Sequence, residues 1–248
     1  MRALVRGVPS SFPRALAATA PADPIDVAIA RTQHAAYRDA LAAMGARVTF
    51  LIPDEACPDC VFIEDTAVVA AGLAVITRPG AESRRAETPA VATALRELDV
   101  IQLAAPATLD GGDCMRVGTT IYVGRSARTN AAGIAALAEA FAPRGLRVVP
   151  LDLPPGILHL KCVCSPLGDD RILLAEGSLH FDGLDVITVP AVETYASNAV
   201  AIGDHVLVAA EYPRTHELLT RAGFTLHRVP TSEVRKADGS LTCQSIVF

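Results

Sequence analysis

Residues 115–151 read MRVGTTIYVGRSARTNAAGIAALAEAFAPRGLRVVPL. Two short runs, Met115 to Val117 and Thr120 to Val123, flank Gly118 and carry the β-branched and aromatic residues that suit strands. A polar stretch from Arg125 to Arg128 follows, then a helical run from Asn130 to Phe141 and a third strand from Arg147 to Leu151. The order is strand, strand, helix, strand.

Outward from this stretch the same order recurs. Upstream, Val61 to Val69 and Leu73 to Thr77 are expected strands, Pro89 to Leu98 a helix, and Val100 to Leu103 a further strand. Downstream, Leu160 to Cys164, Arg171 to Ala175 and Val186 to Pro190 form a third block. A fourth has strands at Ala199 to Ile202, His205 to Ala209 and Thr225 to Val229, with a helix from Thr215 to Ala222. The strand Ser245 to Phe248 has no successor unless the N-terminal elements complete its unit. Those are a strand at Arg2 to Val8, a helix from Asp26 to Met44 stopped by Gly45, and a strand at Val48 to Ile52. Repetition of this kind marks an architecture built from stacked or ringed units. Cys60, Asp110, His159, Ser197 and Cys243 each fall just before the first strand of a unit, at gaps of 50, 49, 38 and 46 residues. Five such units closed in a ring would set all five positions around one axis.

Composition limits what such a ring could do. The 248 residues are 51% hydrophobic, enough for a well-packed core, but aromatics make up only 4% and the net charge is -5. An acidic, aromatic-poor chain is a poor binder of nucleic acid. No run approaches the ~18 apolar residues of a membrane span. Ala15 to Ala20 has the small residues of a cleavage region, but Pro9, Ser10, Ser11 and Pro13 interrupt any apolar core before it. The expectation is a cytoplasmic protein with reduced thiols. Of its 22 basic residues only Lys161 and Lys236 are lysine, so any functional Arg must be argued from its setting.

No phosphate-binding loop, dinucleotide fingerprint, nucleophile elbow or His-Glu-x-x-His motif is present. Cys57-Pro58-Asp59-Cys60 lacks the second pair that a zinc site would want, so neither metal nor cofactor is expected. Cys162 and Cys164 alternate as small core residues do, and Cys114 sits among apolar neighbours. Cys243 differs, because it follows the polar turn Asp238-Gly239-Ser240-Leu241-Thr242. His159, isolated among apolar residues, shares its phase. A thiol, an imidazole and an orienting acid form the general arrangement for thiolate catalysis, and Asp110 or Asp113 of Asp110-Gly111-Gly112-Asp113 could supply the acid. The same segment also suits a tight turn. Glu64 and Asp65, between Val61-Phe62-Ile63 and Ala67-Val68-Val69, would be costly to bury unpaired, and a guanidinium matches paired carboxylates best. Arg84 and Arg128 follow second strands at matching places and could bind a carboxylate.

These stretches resemble the dimethylarginine dimethylaminohydrolases (dimethylargininases) of the guanidine-modifying pentein superfamily. The likeness runs through essentially the whole chain. It is most specific at Asp59–Thr66, at Ile76–Gly80 with Ser83–Arg85, at Thr108–Asp113, at Ser126–Asn130, at Leu158–Lys161 and at Thr231–Cys243. The resemblance implies an α/β fold, a pseudo-symmetric five-bladed propeller of repeated ββαβ units forming one catalytic domain over residues 1–248. It makes Cys243 the nucleophile, His159 the general acid and base, and Asp110 the acid that orients His159. It has Glu64 and Asp65 holding the guanidinium, Arg84 and Arg128 the α-carboxylate, Asp59 and the Leu16 backbone the α-amino group, and the Ala237 backbone lining the pocket. The implied partner is a small molecule, a methylated arginine hydrolysed to citrulline and an amine without metal or cofactor. A homodimer is compatible with this reading.

Two other readings share the fold. Arginine and agmatine deiminases and amidinotransferases belong to the same superfamily but are generally longer, and an Arg84/Arg128 clamp argues against agmatine, which has no carboxylate. A ribosome anti-association factor shares the five-fold propeller, yet would have no need of Cys243, His159 and the acids in phase.

Overall fold

The computed structural model describes residues 1–168 and 170–248. Its strands form five separate three-stranded sheets, each with the same internal order. The first to appear in the chain is also the last to be completed. There β1 (Arg2–Arg6) is the middle strand, joined through α1 (Val27–Ala43) to the parallel outer strand β2 (Arg47–Leu51). The inner strand of that sheet comes from the other end of the chain.

Next come β3 (Ala67–Ala70), β4 (Leu73–Ile76), α2 (Thr88–Ala94) and β5 (Asp99–Gln102). Then β6 (Cys114–Val117), β7 (Thr120–Arg125), α3 (Ala131–Phe141) and β8 (Arg147–Asp152). The third unit has β9 (Cys164–Pro166), β10 (Arg171–Ala175) and β11 (Asp185–Val189), with no helix between its last two strands. The fourth has β12 (Val200–Ile202), β13 (His205–Ala209), α4 (Pro213–Arg221) and β14 (Thr225–Val229). After the short α5 (Ser232–Arg235), β15 (Ser245–Val247) pairs antiparallel with β1, Ala3 opposite Val247. The N-terminal elements thus complete the last unit, as the repeat requires. In every sheet the inner pair is antiparallel and the outer pair parallel, and a parallel pair needs a crossover connection.

Local chemistry sets the helix boundaries. Asp26 caps α1 by accepting from Ala28 N at 2.8 Å and Ile29 N at 3.0 Å. Asn130 caps α3 through Gly133 N at 2.8 Å and also accepts from Thr108 N at 3.1 Å, tying the helix to the preceding loop. Helices seal the joints between sheets: Leu137 and Phe141 of α3 pack with Val75 of β4 and Val123 of β7. Where the third unit lacks its helix, Phe181 stacks edge-on against Tyr122, with ring centroids 5.2 Å apart, and fills the joint with Leu179 and Leu184.

Two expected strands start later than their apolar runs suggest. The strand expected over Val61 to Val69 begins at Ala67, and Ile63–Thr66 is a 3-10 turn. Similarly Leu160–Cys162 is a 3-10 turn and the strand covers Cys164–Pro166, so Cys162 and Cys164 do not share a strand face. The reason lies in the buried charge. A strand would send Glu64 and Asp65 to opposite faces, whereas the turn lets both reach partners inside the ring. Each unit enters its inner strand in this way, through 3-10 turns at Ile63–Thr66, Gly111–Asp113, Leu160–Cys162, Ala191–Ser197 and Thr242–Gln244.

Candidate active site

Four of these five turns bring chemistry to the ring centre. Asp110 and His159 flank their turns, and His159 Nε2 lies 3.0 Å from Asp110 Oδ2 with both side chains buried. The other Asp110 oxygen accepts from Gly80 N at 2.9 Å, so the carboxylate is fixed from two sides. Asp113, the second acid of the segment, serves differently: it accepts from Leu160 N at 3.0 Å and Ser126 Oγ at 2.6 Å, anchoring the backbone beside His159. Gly111 and Gly112 are required by close approach. A Cβ on Gly111 would lie 2.0 Å from Glu64 O, and one on Gly112 would lie 2.8 Å from both Asp65 Oδ1 and His159 Nδ1.

Burial alone would lower the pKa of His159, but the charges of Asp65, Asp113 and Asp110 and the hydrogen bond to Asp110 outweigh it and raise the imidazole to about 9. In return, the cations His159 and Arg84 overcome the burial of Asp65 and bring its carboxyl down to about 2. The imidazole is therefore an imidazolium in the unliganded site at neutral pH. Cys243 stands in the opposite condition. Burial, followed by the nearby carboxylates of Glu64 and Asp65, pushes its thiol well above the ordinary range, so it rests neutral. It is half-buried, in the turn Thr242–Gln244, and packs against a cluster that contains Phe12, Phe62, Val234 and Ala237.

The acidic pair does not wait for a ligand to neutralise it. Glu64 accepts from Lys161 Nζ at 2.5 Å and from Thr242 Oγ1 at 2.8 Å. Asp65 accepts from Gly112 N at 2.8 Å and from Arg84 Nη1. The chain itself supplies a cation to each of these acids. The two arginines expected to bind a carboxylate differ in their surroundings. Arg84 is buried, and besides Asp65 it binds Glu87 at 3.0 and 2.8 Å and the Phe62 carbonyl at 2.7 Å, which leaves it little to offer a substrate carboxylate. Arg128 is half-buried, and its guanidinium makes no hydrogen bond or ion pair among the described residues. Its charge is felt at Asp59, whose carboxyl is nevertheless raised by burial. Asp59 Oδ1 accepts from the backbone N of Leu16 at 2.9 Å, so this expected pair is together.

Cys60 keeps phase in sequence but not in space: its thiol faces Gly7 O and Asp54 N, and Glu64 and Asp65 occupy the central place of that unit. The thiols of Cys57 and Cys60 are pushed by burial to about 11. Among the described residues Asp65, Asp110 and His159 form the grouping that could hold an ion, with one ligand-type atom from each within 4.8 Å. Every one of these side chains already has hydrogen-bond partners within the protein. A cavity of about 890 Å³ lies along the inner strands and reaches Glu64, Lys161 and Thr242, while Asp110, His159 and Cys243 do not line it.

Sequence reasoning passed over Lys161, Thr242, Asn198 and Glu87. A signal existed for Lys161: in a chain that writes nearly every cation as Arg, a lysine two residues from His159 asks for a reason. The compact ammonium paired with Glu64 in a nearly enclosed place is that reason.

Comparison with known proteins identifies relatives along most of the chain. The family described as N,N dimethylarginine dimethylhydrolase, eukaryotic, matches residues 19–205. The N(G),N(G)-dimethylarginine dimethylaminohydrolase of Pseudomonas aeruginosa is 39% identical over 231 residues, covering 90% of each chain. The chain belongs to the dimethylarginine dimethylaminohydrolase family. The family enzyme of Streptomyces coelicolor is likewise 39% identical over 248 residues, covering 99% of this chain and 96% of that protein. Among solved structures, a Cys-to-Ser mutant of the Pseudomonas aeruginosa enzyme complexed with citrulline superposes with a TM-score of 0.95 at 36% identity, covering 100% of this chain and 98% of that one. The five-bladed α/β propeller is therefore the family fold. Among the described residues, no helix is long and apolar enough to cross a membrane.

Proposed function

We propose that this dimethylarginine dimethylaminohydrolase family member hydrolyses N-omega-methylated arginines to citrulline and dimethylamine or methylamine. The observation that carries the reading is the buried His159–Asp110 pair at 3.0 Å, set beside Asp65 and in the same ring of turns as Cys243. Substrate enters as a cation. Its guanidinium, oriented by Asp65 and Glu64, adds positive charge beside Cys243, so that the thiol gives up its proton to solvent and the resulting thiolate attacks the guanidinium carbon. The C–S bond forms, and the C–N bond to the methylated nitrogen breaks as His159 delivers a proton to the departing amine. Water then attacks the S-alkyl intermediate, His159 accepts a proton from it, and citrulline leaves as the thiolate is regenerated. Arg128 binds the α-carboxylate, Asp59 with the Leu16 backbone holds the α-amino group, and the Ala237 backbone lines the pocket. Arg84 acts through Asp65 rather than on the substrate. No step calls for a metal or cofactor.

The test is to incubate the protein with dimethylarginine, monomethylarginine, arginine and agmatine and to measure citrulline and the released amine. Methylamines should appear with citrulline, and Cys243→Ala should abolish both. Fast turnover of arginine alone, with ammonia released, would favour an arginine deiminase-type hydrolase. A cytoplasmic setting accords with six free cysteines. A homodimer is the assembly in keeping with this reading, and sedimentation equilibrium tests it.

A further inference from the structure

The turn of the fourth unit carries no reacting group to the centre. Glu193 within it points outward, accepting from Arg214 N, Thr215 N and Thr215 Oγ1 at the start of α4. What it offers inward is Asn198, which is 2% exposed. The carboxamide nitrogen donates to Lys161 O at 2.7 Å and to Thr242 Oγ1 at 3.0 Å, and its oxygen accepts from Thr242 N at 2.9 Å. The orientation of the amide is fixed by its partners, since a backbone N–H demands the oxygen and a carbonyl demands the nitrogen. Lys161 is two residues from His159, and Thr242 immediately precedes Cys243.

We propose that Asn198 is a positioning residue that sets the spacing between the turn bearing the general acid and the turn bearing the nucleophile; this rests on the roles assigned above to His159 and Cys243. Glu64 joins the same two turns from another unit through Lys161 Nζ and Thr242 Oγ1. The two turns are thus pinned at two points, one charged and one neutral. The neutral point needs two donors and one acceptor from a single short side chain, and asparagine provides both kinds. Aspartate would keep the acceptor, lose both donors and add a negative charge near a thiol that is already held neutral. Displacement of a reacting group by about 1 Å can cost on the order of 100-fold in rate.

The experiment compares Asn198→Ala, Thr242→Val and Thr242→Ser with the unaltered protein. Asn198→Ala should lower kcat for dimethylarginine by roughly 10–100-fold with KM changed little. The loss should be smaller for an analogue whose leaving group is a thiolate, because that group departs without a proton from His159. Thr242→Ser keeps the hydroxyl and should remain near normal, while Thr242→Val, which also breaks the hydrogen bond to Glu64, should lose at least as much as Asn198→Ala. Equal loss on both substrates, or kcat within about twofold of normal, overturns the proposal. A readout free of turnover is the pH dependence of Cys243 alkylation by iodoacetamide, followed on its peptide by mass spectrometry. Titration of the His159 imidazole should leave an inflection in that profile, and Asn198→Ala should flatten it. An inflection unchanged in Asn198→Ala refutes the spacing role even if dimethylarginine proves not to be the substrate.

Discussion

Lys161 Nζ lies 2.5 Å from Glu64 Oε1, and this pair stands where the inner cavity meets the turns at Ile63–Thr66 and Leu160–Cys162. Both groups are almost wholly enclosed, with side-chain exposures of 12% and 10%. The contact joins residues 97 positions apart in sequence.

Removing the ammonium leaves a buried carboxylate without its countercharge. Lys161→Met should cost about 3–5 kcal/mol of unfolding free energy, measured by urea titration. A loss below about 1 kcal/mol would show that Glu64 is neutral in the folded protein without Lys161.

Arg84 and Arg128 should separate in their effects. Arg84→Ala deprives Asp65 and Glu87 of their common partner, so its first consequence is instability, again about 3–5 kcal/mol. Arg128→Ala should fold normally and raise KM for carboxylate-bearing substrates by roughly 10–100-fold, the worth of a hydrogen bond to a charged group. A stable Arg84→Ala protein with only a raised KM would restore the two-arginine clamp.

His159 links stability to pH. Its folded-state pKa, about 9, lies above the ordinary histidine value of 6.5, so the stabilisation is complete below that ordinary value and is lost as pH rises through about 9. The advantage in unfolding free energy over His159→Gln should therefore shrink between pH 6.5 and 9. An advantage that instead grows over this interval would mean that the imidazole is buried neutral.

Cys243 should behave as a weak acid until substrate arrives. Thiolate absorbance of the unliganded protein should be absent at neutral pH and develop only in the alkaline range, because burial, Glu64 and Asp65 all oppose the anion. A thiolate present at pH 7 without ligand would place the activating charge within the protein itself.

Gly111 offers a purely steric test. Gly111→Ala would drive a methyl carbon to 2.0 Å from Glu64 O, a backbone atom that cannot swing aside. Overpacking of this kind costs about 1–3 kcal/mol, and here it displaces both Glu64 and Asp110. Full activity in this variant would contradict the close approach of the two turns.

The ring itself was legible because the units repeat. The return of Arg2–Val8 to the final unit followed from counting strands, whereas the lack of a helix between Arg171–Ala175 and Asp185–Val189 departs from the repeated unit. The turn at Ile63–Thr66 was not legible, because Val61 to Val69 reads as a strand wherever local pattern alone decides. There the requirement to partner Glu64 and Asp65 overrode β propensity. The surroundings of Arg84 were hidden for the same reason. Its partners Asp65 and Glu87 are near it in sequence, but nothing local states that all three are buried together. Asn198 and Thr242 were invisible because an amide and a hydroxyl acquire their meaning only from groups 37 and 44 residues away.

The clasp between β15 and β1, reinforced by Arg2 N to Phe248 O at 2.6 Å and Phe248 N to Arg2 O at 2.8 Å, bears on how the protein is made. The ribosome delivers Arg2–Arg6 first and Ser245–Val247 after every other strand of the ring. Four units can therefore fold while the edge of β1 waits for its neighbour. Cys243, two residues ahead of that closing strand, is the final piece of chemistry to arrive. On the proposed mechanism, a nascent chain already holding Asp110 and His159 still lacks its nucleophile, and the act that shuts the ring also arms it.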